Sequence, residues 1–494
     1  MTFNPVFVEI DASKKTPRDE FEINDQYAVG LPSTRKKVLL LAPLLAAGSA
    51  SDGDLVEGVG SIDDVNSYCG LPAKHIAEAL FAKQPAPDLD LLCLAEAAGT
   101  AATFTLTAAV EATGDGTARI YAGNKYVDVT ITEGDTPAEV ATAIYTAIAA
   151  DSDFPCTAAD PEAGAVVTCT DKLKGTLGNN YYIVADVTSG IGTTVTPTQP
   201  TIGATDPTID STVTALYQER DYDLIIIPWN FTGTSLTALK NAAAYMANAA
   251  RGHGAQHLEV HKGTYSATAT RNDGISRRDW VCINSKTTFY MPMPAHVAAG
   301  HVGGMLAAEA DPSVPFINED CSDLLAPVAS SYTQPTAAEI ENGMNAGVPT
   351  FGMNDAGDLY IPQVITTATK LSGGAVSDAW ASPHVFWVMK YTRKAIAARL
   401  KSTYSTRASN KMVDGKPADV KGQILAVLQT LADRPLQYLS AEMLLKYKSQ
   451  IVVRVSATNP KFIEIGIPTP VIAEYRGTLG VLFLQVPSVE ALAA

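Results

Sequence analysis

Two short runs in which every residue is apolar, Val38-Leu39-Leu40-Leu41 and Leu224-Ile225-Ile226-Ile227, do most to limit what this chain can fold into. A strand with one wet face alternates apolar and polar side chains, because successive Cβ atoms point to opposite sides. A run without alternation is buried on both faces, the condition of a strand inside a parallel sheet covered by helices. Arg35 to Ala42 therefore reads as one buried strand and Leu89 to Ala95 as another, with an amphipathic helix from His75 to Lys83, ended before Pro85, between them. That order predicts an α/β core with a parallel-rich sheet.

From about Ala97 to about Pro207 the composition shifts to Thr, Ala, Gly and Asp. Alternating segments at Ala102 to Thr107, Ala118 to Tyr121, Tyr126 to Thr132, Ala165 to Thr170 and Tyr181 to Val187 read as strands, and Thr136 to Ala149 as a helix with Pro137 at its favoured first position. The α/β order then resumes: a strand at Leu224 to Pro228, a helix over Ser235 to Ala250, strands at His257 to His261 and Trp280 to Ile283, and a helix over Pro294 to Ala310. Because both flanks keep one pattern, the β-rich stretch is most simply an insertion into one core.

Beyond about Asp320 the chain is irregular and rich in Pro and Gly as far as Tyr360. Long helices over Pro383 to Tyr404 and Lys416 to Arg434 follow, then alternating strands at Ile451 to Ala457, Lys461 to Pro468 and Val481 to Val486. At the other end, Phe3-Asn4-Pro5-Val6-Phe7-Val8-Glu9-Ile10 has strand composition but is cut off from the next apolar run by the mixed-charge stretch Asp11 to Asp25. Lacking a hairpin partner, it must pair with a distant strand or with another chain. The expected layout is an N-terminal arm and linker over 1–25, core over 26–96 and 208–340, inserted β-rich domain over 97–207, and an α+β C-terminal domain over 341–494 ending in a strand arm. No heptads, low-complexity tails or long repeats interrupt it.

With 494 residues, 46% of them apolar, the chain suits two to four domains and a large core. No apolar run approaches the ~20 residues of a membrane helix. The best, Lys37 to Ala47, is short, holds Pro43 and lacks the layout of a signal peptide, so a soluble globular protein made in the cytoplasm is expected. Cys69, Cys93, Cys156, Cys169, Cys282 and Cys321 are scattered without a C-x-x-C pair and read as reduced and buried or half-buried.

A net charge of −16 opposes nucleic-acid binding, which needs a positive footprint. The charge is uneven: Ala381 to Pro460 holds 13 Lys and Arg against four acids, a net +9 that leaves −25 elsewhere. Lys390, Arg393, Lys394, Arg399 and Lys401 form its densest part. A basic surface on an acidic subunit suits self-association or docking on an acidic protein; the plainer reading is a solvated helix face.

Catalytic patterns are weak. Gly233-Thr234-Ser235-Leu236 resembles the serine motif of subtilisin-like proteases and Ala295 to His301, with His296 and His301, their histidine helix. The chain order is reversed and the acid motif is missing, so Gly233 to Ser235 reads more simply as a helix N-terminus. His253, His257 and His261 repeat every four residues with Glu259 between the last two, a metal face on a helix. On a strand, His257, Glu259 and His261 instead form one polar, partly exposed face while Leu258 and Val260 enter the core. No phosphate-cradling glycine loop or Cys/His zinc cluster is present, and Trp380, Phe386, Trp387 and Tyr391 read as core or subunit-interface anchors.

The segment order carries a resemblance. Lys37 to Ala42, the helix before Pro85, Leu91 to Thr107, Asp221-Tyr222-Asp223-Leu224-Ile225-Ile226-Ile227-Pro228-Trp229, the small-residue helix Ala295 to Ala308, Gly343-Met344-Asn345-Ala346-Gly347-Val348 and the helix His384 to Leu400 together resemble the Mu-type contractile tail sheath family over nearly the whole chain. The motifs are diffuse and their strength is collinearity. One departure is Asn4-Pro5-Val6-Phe7 where the family often has a Pro-Gly turn before its first strand.

The resemblance implies a subtilisin-like core without catalysis, no cofactor and no metal. It implies a virion protein, assembled in the host cytoplasm, whose subunits stack as rings around a tail tube and meet baseplate and tail terminator proteins, with no nucleic acid and no membrane insertion. Terminal arms would add strands to neighbours, through Phe3, Val6, Val8 and Ile10 at one end and Val481, Phe483, Leu484 and Val486 at the other. The basic helices would face the tube and adjacent subunits, and the insertion would face outward. Two rival classes are a surface adhesin, suggested by the Thr/Ala-rich insertion but lacking an export signal, and a subtilisin-like or metal-dependent hydrolase.

Overall fold

A computed structural model describes residues 36–248, 252–286, 293–324, 335–354, 356–369, 379–405 and 411–472. The core opens with β1 (Lys37–Leu44), β2 (Leu55–Val59), α1 (Ile62–Cys69), α2 (Leu71–Phe81) and β3 (Asp88–Ala95). There follow β4 (Ala101–Ala109), β5 (Gly116–Ala122), β6 (Lys125–Ile131), α3 (Pro137–Ala150), β7 (Cys156–Ala159), β8 (Val166–Lys174), β9 (Ile183–Val187) and β10 (Thr194–Thr201). The core returns with α4 (Ser211–Ala215), β11 (Leu224–Ile226), α5 (Gly233–Met246), β12 (Gln256–Gly263), α6 (Tyr265–Ile275), β13 (Trp280–Lys286) and α7 (Ala295–Ala308). Then come β14 (Ile317–Asp320), α8 (Ala337–Asn345), β15 (Gly352–Met353), β16 (Leu359–Gln363), α9 (Pro383–Thr403), α10 (Lys416–Ala432), α11 (Ala441–Tyr447), β17 (Val452–Val455) and β18 (Ile463–Gly466). The described residues form two units, the larger running to Lys390 and including Val471 and Ile472, the smaller spanning Tyr391 to Pro470.

In the larger unit the two all-apolar runs are neighbours, with Val38 opposite Leu224 and both strands parallel. The sheet order is β13-β12-β11-β1-β3-β2, parallel throughout except for the edge strand β2. Each face of β1 goes to a different layer. Val38, Leu40, Ala42 and Leu44 join the core made with α1, α2 and α7, while Leu39 and Leu41 join the one made with α5. Alternation is absent from the sequence because both faces are dry.

The small-residue helix α7 fits against α2 at close range: a Cβ on Gly300 would lie 2.4 Å from the Ile76 carbonyl oxygen, and one on Gly304 2.5 Å from that of Leu80. Its C-terminal end is met by an ammonium, Lys36 Nζ donating to the carbonyls of Leu306 (2.8 Å) and Glu309 (2.6 Å), where a cation complements the helix dipole.

Residues 101–201 build two antiparallel sheets, β10-β4-β8-β7 and β6-β5-β9, around α3 and a separate apolar cluster that includes Phe104, Ile120, Ile144 and Phe154. Thr136 and Glu139 close a capping box at the start of α3, with Pro137 as its first residue. The chain leaves and re-enters the core through one neck, where Thr100 and Ala204 form an antiparallel bridge. A third small sheet, β14-β16-β15, lies downstream.

In the smaller unit α10 buries Val420, Ile424, Val427, Leu428 and Leu431, and the ring of Tyr391 meets that of Tyr438 edge-on. Among the described residues no helix is long and apolar enough to cross a membrane.

Candidate assembly surfaces

The residues singled out for chemistry are not assembled for it. Ser235 lies near the start of α5, buried, with its Oγ accepting the backbone N–H of Ile209 at 3.0 Å. His296 and His301 are on α7, across the sheet from α5, so strands separate the hydroxyl from both imidazoles. The ring nitrogens of His296 have no hydrogen-bond partner; the ring stands edge-on to Tyr181 at 5.4 Å, and burial pushes its pKa down to about 3. Burial holds His301 at about 4.

The His-x-Glu-x-His segment is strand β12, with Leu258 and Val260 in the core. The expectation of a partly exposed polar face is corrected: His257 and Glu259 are fully buried. His257 stacks on Trp280 at 4.9 Å and sits at a pKa of about 4 because of burial. Glu259 takes a two-pronged bond from Arg271 of α6, Nε to Oε1 at 2.8 Å and Nη2 to Oε2 at 2.6 Å. His261 Nδ1 lies 2.7 Å from the Thr268 hydroxyl. Glu259 and His261 are paired locally, the buried Nε2 of His257 has no hydrogen-bond partner, and among the described residues the three form no metal face.

A closer approach to a ligand set is one the sequence reading did not single out. His75 and Glu78 of α2 meet Asp153 of the insertion, with their ligand atoms all within 4.8 Å of one another. Two ammonium groups already occupy that space. Lys74 Nζ is 2.6 Å from Asp153, Lys125 Nζ is 3.0 Å from Glu78, and Lys125 also bonds Asp153. His75 Nε2 lies 3.5 Å from the same carboxylate, and these neighbours hold Asp153 far below the usual carboxylate range. The cluster is an ionic staple between core and insertion.

The place where open α/β sheets usually bind ligands is also filled. Neighbouring strands β1 and β11 lead onward to opposite sides, β1 toward β3 and β11 toward β12, and ligands favour the strand C-terminal ends at such a point. Trp229 and Phe231, just beyond β11, pack 5.4 Å apart there and share a buried cluster with Leu173 and Leu177 of the insertion. A cleft of about 390 Å3 beside α8 and β14 is lined by groups such as Ile317, Ile340, Met344 and Ile365, with Glu341 the one ionisable residue of its lining among the described residues.

Of the five basic residues, Lys390 does not lie on an exposed face. It is 8% exposed, with Nζ 2.7 Å from Asp223, 2.9 Å from Asp221 and hydrogen-bonded to the Tyr222 carbonyl. The physical reason is that acids flank the strand it covers. Arg393 and Lys401 are exposed; Lys394 and Arg399 are half-buried, Arg399 Nε donating to Gln423 at 2.8 Å. Phe386, Trp387 and Tyr391 are buried, and Trp380 is half-buried beneath the Arg278 guanidinium.

The hairpin β17–β18 presents exposed apolar side chains in the smaller unit. In its register Val453 faces Ile465 and Val455 faces Ile463, so one face carries four β-branched side chains. The other carries the Arg454–Glu464 ion pair at 2.8 Å. Val455 is 39% exposed, Ile465 41% and the adjacent Phe462 64%. Among the described residues the ladder has two strands only, and helix α10 packs against β17 to support it. The strand-arm residues Phe3, Val6, Val8, Ile10, Val481, Phe483, Leu484 and Val486 lie outside the described residues.

No family model matches the chain. Over 447 residues it is 27% identical to the Mu-like prophage FluMu tail sheath protein of Haemophilus influenzae, an alignment covering 86% of this chain and 89% of that protein. The chain is a homologue of a Mu-like tail sheath protein. Solved sheath proteins also align with it. One from Desulfitobacterium hafniense is 15% identical, covering 89% of this chain and 93% of its own, at a TM-score of 0.46. The helical sheath of the anti-feeding prophage in its contracted state is 12% identical, covering 96% and 100%, at 0.49.

Proposed function

We propose that this homologue is itself a non-enzymatic, structural subunit of a contractile tail sheath. Copies polymerise into a helical sheath around a tail tube, meet baseplate and tail terminator proteins at its ends, and contract without nucleotide hydrolysis to drive the tube through the host envelope. Assembly takes place in the host cytoplasm and the product belongs to a virion or a related particle. The observation that carries the reading is the 27% identity to a tail sheath protein sustained over 86% of the chain.

The physical chemistry of the chain supports it. The nucleophile and histidine candidates are buried on opposite sides of the sheet, so the residues offer surfaces instead of a reaction centre. The two-stranded ladder β17–β18 has open edges among the described residues and a half-exposed apolar face. Val6, Val8 and Ile10 alternate as an added strand would, and Val481 to Val486 supplies another. Strands donated by neighbouring copies complete the ladder, and their main-chain hydrogen bonds link subunits while each body turns as a unit.

Contraction draws on surface buried between subunits. At ~25 cal/mol per Å2 of apolar area, a few hundred Å2 gained per subunit is worth several kcal/mol before ordering losses. Electron microscopy of the purified chain tests the proposal: tubes or stacked rings are expected, and a chain that stays monomeric at high concentration and in every salt condition would end it.

A further inference from the structure

We propose that Cys69 and Cys93 are a redox modification site, closing a reversible disulfide that staples the end of α1 to β3 when the protein meets a two-electron thiol oxidant. The two sulfur atoms lie 3.1 Å apart, both fully buried. Neither can swing away easily. Cys93 is in the middle of β3, opposite Ala42 of β1, and its N–H and C=O are bonded to Asp54 and Gly53. Cys69 ends α1; its carbonyl accepts the Leu45 N–H at 2.9 Å, and the next residue, Gly70, turns the chain at φ +86° with Leu45 packed beneath it. A side chain there would meet Leu45 at 3.0 Å and would sit in the left-handed region, so the corner holding Cys69 is fixed.

The pair is also chemically asymmetric. The hydrogen bond between them raises the Cys69 thiol and lowers that of Cys93, whereas burial raises Cys156, Cys169, Cys282 and Cys321. Either sulfur can donate in that bond, so the step that begins at Cys93 has a counterpart that begins at Cys69 and ends in the same disulfide. With diamide as oxidant, the Cys93 thiolate adds to one nitrogen of the N=N bond, whose partner takes a proton. Cys69, losing its proton, attacks the Cys93 sulfur, and the S–N bond breaks to release the hydrazine. Two thiols supply two electrons and two protons, and one N=N bond becomes HN–NH. Because both sulfurs are buried, reaction proceeds through brief local opening and is slow.

The experiment uses the full-length chain, purified reduced and treated with diamide, with thiols then counted after denaturation. Wild type is expected to fall from six free thiols to about four, while Cys69→Ala and Cys93→Ala each hold theirs and Cys156→Ala still loses about two. Peptide mapping should join Cys69 to Cys93 in a species about 2 Da lighter than the two reduced peptides, split again by dithiothreitol. Retention of all thiols in wild type would overturn the proposal. So would a map joining Cys156 to Cys169, which sit two residues out of register on β7 and β8, or linkage between chains. The wild-type map decides the matter even where an alanine variant fails to fold.

Discussion

Glu259 and Arg271 illustrate how a buried charge stabilises by being paired: the carboxylate is fully buried, and the guanidinium that holds it also donates to the Phe231 carbonyl at 2.8 Å. Breaking such a pair strands a charge in the core, whereas replacing both partners removes the desolvation cost together with the attraction. Arg271→Met is expected to cost about 3–5 kcal/mol in urea unfolding, and Glu259→Met with Arg271→Met to lie much nearer to wild type. The buried histidines give a pH dependence whose sign follows from their depressed pKa values. Above 6.5 His257, His296 and His301 are neutral in either state; below it the unfolded chain takes protons that the native sites refuse until about 4, 3 and 4 respectively, so stability is lost on acidification. Asp171 acts the other way, because burial raises its carboxyl to about 7 and the stability it lends below 3.8 is lost as pH rises through 7. Three groups outweigh one, so urea midpoints should fall from pH 6.5 to 4.5. His296→Phe should flatten that slope and Asp171→Asn should steepen it; a wild-type midpoint unchanged over this range would refute the assignment. Alternation placed His257, Glu259 and His261 on one strand face, but not their burial, because α6, which covers them, reads Tyr-Ser-Ala-Thr-Ala-Thr-Arg-Asn-Asp-Gly-Ile and has no apolar stripe.

Elements became legible where one physical signal was strong. The two-sided strands β1 and β11, the proline-led helix α3 and the long helices α9 and α10 were all readable from apolar runs, caps and length. The elements that escaped have weak signals of their own. β2 carries Gly58 and β10 carries Pro197 and Pro200, residues that sheets accept at edges, and both strands are edges. α8 hides in a stretch rich in Pro and Gly, betrayed only by its Thr336–Glu339 capping box. β17 and β18 were visible as alternating segments, yet which of their faces stays open depends on register and packing. Val455→Lys with Ile465→Lys should leave the melting transition of the monomer within about 1 kcal/mol, as half-exposed substitutions do, while abolishing tubes in micrographs. Polymers of normal length from that variant would remove the hairpin from the assembly mechanism. On α9, Arg393→Glu with Lys394→Glu should reduce assembly and make the remainder less sensitive to salt, since opposite potentials guide encounter over a Debye length of about 10 Å at 0.1 M salt. If neither property changes, that face is simply solvated.

At the scale of the whole molecule, the fold class was readable because a parallel sheet leaves its mark on composition, whereas a surface completed by another copy leaves almost none: its residues look like any exposed segment until the partner arrives. Deleting residues 1 to 20 tests whether the N-terminal segment belongs to such a surface. The core sheet, both of its helical layers and the hairpin all lie within residues 36–472, so the truncated chain should fold and melt as a soluble monomer. It should fail to form sheath alone, having no N-terminal strand to donate. Mixed with the full chain it should do something more specific. A copy that accepts a strand but cannot pass one on occupies a lattice position and stops growth there, so mean tube length should fall steadily as the truncated fraction rises, with the total folded protein unchanged. Length distributions from electron micrographs of such mixtures distinguish this from mere loss of stability, which would remove mass from the tubes without capping them. If the truncated chain assembles normally, or dilutes the full chain without shortening its tubes, the terminal segments are not the links between copies.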